Sequence, residues 1–213
     1  MSTSHDVVAR SHELDGAPQT LSRYYEDWTP QYDDDVQNIE YRGPEMISDL
    51  LMKSINHYLA DRKEFSVLDA GCGTGLVGRA LTGKADGLAL DGSDLSHTMV
   101  AEAAKTGAYG MLSGGVDLNQ GLREFSENSF DATVSCGVFT PGHVRPHAVE
   151  GLLRVTRPGG IVVVSTRRRY LTETDFEARL ETLAEDGKIE ILEHHAGPYV
   201  VDEDAEYWVL AVR

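Results

Sequence analysis

The chain of 213 residues is short of cysteine, of positive charge and of long apolar runs, and each shortage closes off a class of protein. Its two cysteines, Cys72 and Cys136, form no spaced framework, so neither a disulfide scaffold nor a metal site is expected and the protein reads as reduced and cytoplasmic. Lys and Arg number 19 against 35 Asp and Glu, a formal charge of −16 that repels nucleic-acid backbones and anionic lipid. The basic cluster Arg167-Arg168-Arg169 reads as a solvated strand-to-helix loop. No apolar run reaches the length of a membrane span, and the first twenty residues lack the apolar centre of a signal peptide. The length suits one α/β domain.

What the chain does have is the stretch Val67-Leu68-Asp69-Ala70-Gly71-Cys72-Gly73-Thr74-Gly75. Ser66 to Asp69 reads as a short buried strand and the glycines as a tight turn; Leu76, Val77, Ala80 and Leu81 then mark the apolar face of a helix that Gly83 ends. Such a glycine-lined mouth lets a ligand approach the backbone closely. Gly73 to Gly78 also satisfies the G-x-G-x-x-G pattern of dinucleotide sites. Asp69 argues the other way, since a carboxylate beside the loop repels a pyrophosphate and attracts a ligand carrying an ammonium or sulfonium charge.

Later segments extend the pattern. Gly87 to Leu90 is a second strand, and an acid just beyond it can accept the hydroxyls of an adenosine ribose; Asp94 and Asp91 both qualify, and Ser96 is a candidate helix cap. Ala108 to Ser113 reads as a third strand, followed by Asp117-Leu118. Phe130 to Phe139 is a fourth, containing Cys136, and Thr140-Pro141-Gly142-His143 opens a loop at its carboxyl end. There His143 is either a base for an acceptor nucleophile or a structural residue bonded to a loop carbonyl. Val149, Leu152 and Leu153 mark a helix, Arg157-Pro158-Gly159-Gly160 a turn into the strand Ile161 to Ser165, and Thr172 with Asp175 a near capping box for a helix to about Gly187. Lys188 to Ala196 and Ala205 to Val212 are separated by too little chain for a crossover helix, so they pair antiparallel.

Ahead of the loop, residues 1–20 read as a flexible arm and 21–62 as a lid and a packing helix, leaving 63–213 as the core. Tyr24, Trp28 and Tyr32 crowd a segment that closes over a ligand. Pro44 opens a helix carrying Ile47, Leu50, Leu51, Ile55, Tyr58 and Leu59 to about Asp61.

Asp69 with Gly71, Gly73 and Gly75, then Asp94-Leu95-Ser96-His97-Thr98-Met99-Val100 with Ala103, then Phe130-Asp131-Ala132-Thr133-Val134 and Arg154-Val155-Thr156-Arg157-Pro158-Gly159-Gly160, follow in an order that resembles the class I S-adenosylmethionine-dependent methyltransferases. Asp27-Trp28 with Tyr32-Asp33 and the loop from Gly137 to His143 look most like its small Williams-Beuren-region-like and bacterial natural-product members. The resemblance implies a Rossmann-like α/β/α sandwich with a seven-stranded, mostly parallel sheet whose last strand is antiparallel. It implies S-adenosyl-L-methionine as cofactor and S-adenosyl-L-homocysteine as product. Asp69, Gly71, Cys72, Gly73, Gly75, Asp94, Leu95, Asp117, Leu118 and Cys136 would hold the cofactor, Tyr24, Trp28 and Tyr32 would cover it, and His143 is the candidate base. The expected partner is a small-molecule acceptor, with no metal, nucleic acid or membrane, in a monomer or homodimer. An NAD(P)-dependent oxidoreductase, or a non-methylating cyclase or binding protein on the same fold, are the alternatives.

Overall fold

In the computed structural model, residues 3–60, 62–84, 87–201 and 203–213 are described. Three helices come first: α1 (Ser4–Ser11), α2 (Pro18–Asn38) and α3 (Gly43–Tyr58). Strands and helices then alternate as β1 (Phe65–Ala70), α4 (Leu76–Leu81), β2 (Leu88–Asp94), α5 (His97–Lys105), β3 (Leu112–Gly114), β4 (Phe130–Phe139), α6 (Ala148–Val155) and β5 (Thr156–Arg167). The chain finishes with α7 (Arg168–Glu173), α8 (Phe176–Glu185), β6 (Ile189–Val200) and β7 (Glu203–Val212).

The seven strands form one sheet in the order β3-β2-β1-β4-β5-β7-β6. Pairing is parallel from β3 to β5, and β7, last in sequence, lies antiparallel between β5 and β6. Helices cover both faces over two apolar clusters. One contains Leu68, Val162 and Phe176, and the other Ile47, Val67 and Val163. Adjacent residues of one strand thus point to opposite cores, which is why the parallel strands read as unbroken apolar runs. Because β1 is flanked by β2 on one side and β4 on the other, the chain direction reverses there and leaves a crevice at the strands' carboxyl ends.

The expected sandwich is therefore the observed one, with local differences. Residues 3–20 hold a helix and the start of another, not a flexible arm. Thr3 accepts from the Asp6 N–H while the Asp6 carboxylate accepts from the Thr3 N–H, a reciprocal cap closed by Asp in place of the usual Glu. Met1, Ser2 and the expected helix end at Asp61 lie outside the described residues. The third strand is only Leu112–Gly114, because Tyr109 turns back to bond Asp69 and Gly78. Thr172 caps nothing ahead: it lies inside α7, its hydroxyl donates to the Arg169 carbonyl, and α8 starts after Asp175 without a side-chain cap.

Candidate active site

The crevice opens into a cavity that keeps a mouth to solvent. Its floor is the glycine loop and the ends of β2, β4 and β5; its roof is α1 and α2. Leu21, Tyr25, Trp28, Tyr32, Val36 and Ile39 all face it, a spacing of three or four that puts them on one stripe of α2. Tyr24 lies a quarter turn away and does not line the cavity; its hydroxyl donates to the Val7 carbonyl and ties α1 to α2. The covering ring is thus Tyr25, stacked on Trp28 at 5.7 Å. Pro30 lies in mid-helix on the exposed side of α2, away from the cavity. Asp33 accepts from the Thr74 hydroxyl at 2.6 Å and from Arg79, joining the roof to the glycine loop.

In the loop itself, only alternate residues reach the cavity. Gly71 and Gly73 line it, while Cys72 and Gly75 are buried beneath. Gly73 has φ +53° and nothing within 4 Å of where a Cβ would stand, so its bare backbone faces open space. Gly75, at φ +89°, would bring a Cβ to 3.1 Å from the Ala103 backbone, so its role is close packing of α4 on α5.

Asp69 does not line the cavity. It is fully buried, Oδ2 accepts from the Tyr109 hydroxyl at 2.7 Å, and Oδ1 has no partner among the described residues. Burial pushes its carboxyl up to about 7 against the lowering effect of the Tyr109 bond. The carboxylate at the mouth is Asp94 instead. It ends β2, lines the cavity, and accepts from the Gly73 N–H at 2.9 Å and the Ser96 N–H at 2.8 Å. Burial raises its pKa, and N–H bonds from Ser96, Gly73 and Leu95 oppose the rise. Asp91, the competing acid, accepts from the Met111 N–H and lies off the cavity. Ser96 caps α5 as expected, its hydroxyl accepting from the Met99 N–H.

Several of the loop's donors are already engaged. The Gly71 and Cys72 N–H groups donate to the Ser93 carbonyl, Gly73 to Asp94, Gly75 to the Cys72 carbonyl, and Gly78 to the Tyr109 hydroxyl. A phosphate needs such N–H groups vacant and no carboxylate among them. This loop has the Asp94 carboxylate bonded to its central glycine, so it fails the second condition. A carboxylate, by contrast, has about four lone-pair sites, so Asp94 can take ribose hydroxyls beyond its two main-chain bonds. Leu95, Asp117 and Leu118 lie beside it in the cavity wall, and Asp117 caps a 3₁₀ turn through the Asn119 N–H. The residues present fit a phosphate-free adenosyl ligand.

At the other end, His143 is held from both sides. Nδ1 is 2.9 Å from the Pro141 carbonyl, which can only accept, so that nitrogen carries the proton and Nε2 accepts from the Tyr25 hydroxyl at 2.6 Å. Burial lowers its pKa to about 4. The bond to a loop carbonyl is the structural alternative expected for it, and the lone pair of its other nitrogen is taken by a phenol. Cys136 lines the cavity beside the Tyr41 hydroxyl, with burial pushing its thiol up to about 12, so it is a contact and not a nucleophile.

Arg167 departs from the expected solvated loop. As the last residue of β5 it has a side chain only 12% exposed that lines the cavity, while Arg168 and Arg169 are about 58% and 59% exposed and paired at the surface.

Comparison with known proteins agrees with the site. A methyltransferase domain model matches residues 67–160. Methyltransferase-like protein 27 of Homo sapiens is 35% identical over 165 residues, 76% of this chain. The chain belongs to the class I S-adenosylmethionine-dependent methyltransferases. Its alignment spans 64% of that human relative's length. Among solved structures of this methyltransferase fold, magnesium protoporphyrin IX methyltransferase from Synechocystis PCC 6803 with bound SAM superposes with TM-score 0.61 at 20% identity, covering 84% of each chain. The [4+2]-cyclase SpnF superposes with TM-score 0.65 at 19% identity, over 93% of this chain and 97% of its own. The cofactor of the family is S-adenosylmethionine. Among the described residues no helix is long and apolar enough to cross a membrane, and no cluster of three potential ligands could hold a metal.

Proposed function

We propose that this protein transfers the methyl group of S-adenosylmethionine to a small-molecule acceptor. One observation carries the reading: a glycine loop whose central N–H, that of Gly73, is spent on the Asp94 carboxylate at the cavity wall. That arrangement supports a cationic adenosyl ligand over a dinucleotide. Asp94 would accept the ribose hydroxyls, Leu95 and Leu118 would flank the base with Asp117 beside its amino group, and Gly71, Gly73 and Cys136 would leave room for the amino-acid arm. The bound cofactor supplies a methyl group already activated by its sulfonium. What remains for the protein is alignment and the exclusion of water, the work of Tyr25, Trp28 and Tyr32 in the roof.

His143 acts on an acceptor only through Tyr25, since that hydroxyl occupies its lone pair. An acceptor hydroxyl donating to Tyr25 Oη would be coupled to His143 Nε2, and a neutral amine acceptor would need neither. The enclosed cavity and strongly acidic composition support a small molecule over nucleic acid, and two free thiols support a reducing, cytoplasmic setting. Isothermal titration with S-adenosylhomocysteine and with NAD separates the two cofactor classes; binding of NAD alone would sink the proposal. Labelled S-adenosylmethionine with a metabolite extract then distinguishes transfer from a cyclase-like use, because only transfer yields labelled product together with S-adenosylhomocysteine.

A further inference from the structure

The cavity has two ends of opposite charge. Asp94 and Asp117 stand at the β2 end, and the one Lys or Arg among its lining residues, Arg167, stands at the end of β5. From β2 to β5 is three strand steps, roughly 14 Å. The glycine loop after β1 and Cys136 in β4 lie between them, so an adenosyl ligand anchored on Asp94 meets those strands before it meets Arg167.

Three features make the β5 end a built site. Glu203 holds the guanidinium along one edge, accepting from Nε at 3.1 Å and from Nη2. Nη1 has no partner among the described residues. The Tyr199 ring lies 5.4 Å from Cζ and fixes the plane. Next to it, Phe139 pairs with Thr166, so Thr140, the first residue past β4, and Arg167, the last of β5, both follow that pair. Thr140 is 2% exposed, lines the cavity, and its hydroxyl has no partner among the described residues. A buried hydroxyl without a partner costs stability unless a ligand satisfies it.

We infer that the unengaged edge of Arg167 and the Thr140 hydroxyl form a carboxylate subsite for the methyl acceptor, a small organic acid with a flat apolar body. A carboxylate there accepts from Arg167 Nη1 and from Thr140 Oγ1, while the Tyr25 and Tyr199 rings wall the body of the molecule. His12 and His143 are near Arg167, but burial keeps them neutral, at about 3 and about 4, so the guanidinium is the positive charge at this end. Glu203, 37% exposed at the start of β7, orients the arginine from outside the cavity.

The inference rests on the methyl-transfer reading, and the test separates the two. A panel of 4-hydroxybenzoate, 4-aminobenzoate and their amides is titrated calorimetrically with and without saturating S-adenosylhomocysteine. The acids should bind about tenfold or more tighter than the amides, the worth of one charge-assisted bond. Arg167→Gln should erase that preference and leave S-adenosylhomocysteine affinity unchanged. Thr140→Val should weaken the acids severalfold with stability unchanged or raised, since the protein loses no bond of its own. Acids and amides binding alike, or neither binding, overturns the subsite. So does a loss of S-adenosylhomocysteine affinity in Arg167→Gln with 5′-methylthioadenosine affinity intact, which would assign the arginine to the cofactor's own carboxylate. If S-adenosylhomocysteine fails to bind while the acid preference persists, the methyl-transfer reading falls and the subsite stands.

Discussion

The two ends of the cavity are built by different means. At the β2 end the polar work is done largely by backbone: loop N–H groups that reach Ser93 and Asp94 on the neighbouring strand, the carboxylate they hold, and a serine cap. At the β5 end it is done by side chains from α1, α2, the loop after β4, β5 and β6, some of them deliberately or otherwise left short of partners. The first kind of construction fixes one ligand shape with little tolerance. The second can change its acceptor by changing side chains while the sheet stays as it is.

Truncating the aromatic roof is the harshest way to break the contrast. Trp28 is 7% exposed, meets the Tyr32 ring at 4.7 Å and donates its indole N–H to Asp35. Trp28→Ala should cost about 3 kcal/mol. Urea denaturation reads the loss, and limited proteolysis should place new cuts within α1 and α2.

Asp94→Ala attacks the other end. It should lower S-adenosylhomocysteine affinity by about 100-fold through two lost charge-assisted bonds, whereas Asp69→Asn should change it by less than about threefold, since Asp69 does not reach the cavity. Equal losses in the two variants would return the decisive charge to Asp69.

Smaller effects come from pH. Asp69, raised to about 7 in the fold, binds its proton more tightly than in the unfolded chain, so its contribution to stability is full below about 4 and lost as pH rises through 7. His143, lowered to about 4, works in reverse: the unfolded imidazole takes up a proton near 6.5, so its contribution is present above that pH and lost as pH falls through 4. Thermal melts from pH 4 to 8 should show a shallower acid limb in His143→Gln and a flatter neutral limb in Asp69→Asn. Tyr24→Phe gives the mildest change, about 1 kcal/mol for the bond to the Val7 carbonyl with cofactor affinity untouched, and calorimetry beside urea denaturation checks both.

The same contrast explains what could be read in the sequence. The glycine loop, the Ser96 cap and the mostly parallel seven-stranded sheet follow from local spacing and from long apolar runs, and those were legible, whereas Asp94 and Asp91 could be told apart only by which of them lines the cavity. Asp69 was misplaced because its burial depends on Tyr109, forty residues on, folding back over it. Arg167 hid inside a run of three arginines, since its withdrawal from solvent comes from Glu203 on β7, 36 residues away. Tyr25 was passed over for Tyr24 although the signal was present: counting from Leu21 by fours and threes lands on 25, 28, 32, 36 and 39. The first helix announced itself with Thr3 and Asp6, a capping pair easily missed when the usual Glu is absent.

Asp33 has a further consequence. It fastens the roof to Thr74 and Arg79, one of them inside the glycine loop, and the arginine contact lies partly in water. Salt weakens charge attraction at the solvent boundary, so the arginine half of that clasp loosens first. The second helix should therefore sit less firmly on the strand–loop–helix unit as ionic strength rises, with the hydroxyl of Thr74 left as its remaining tether.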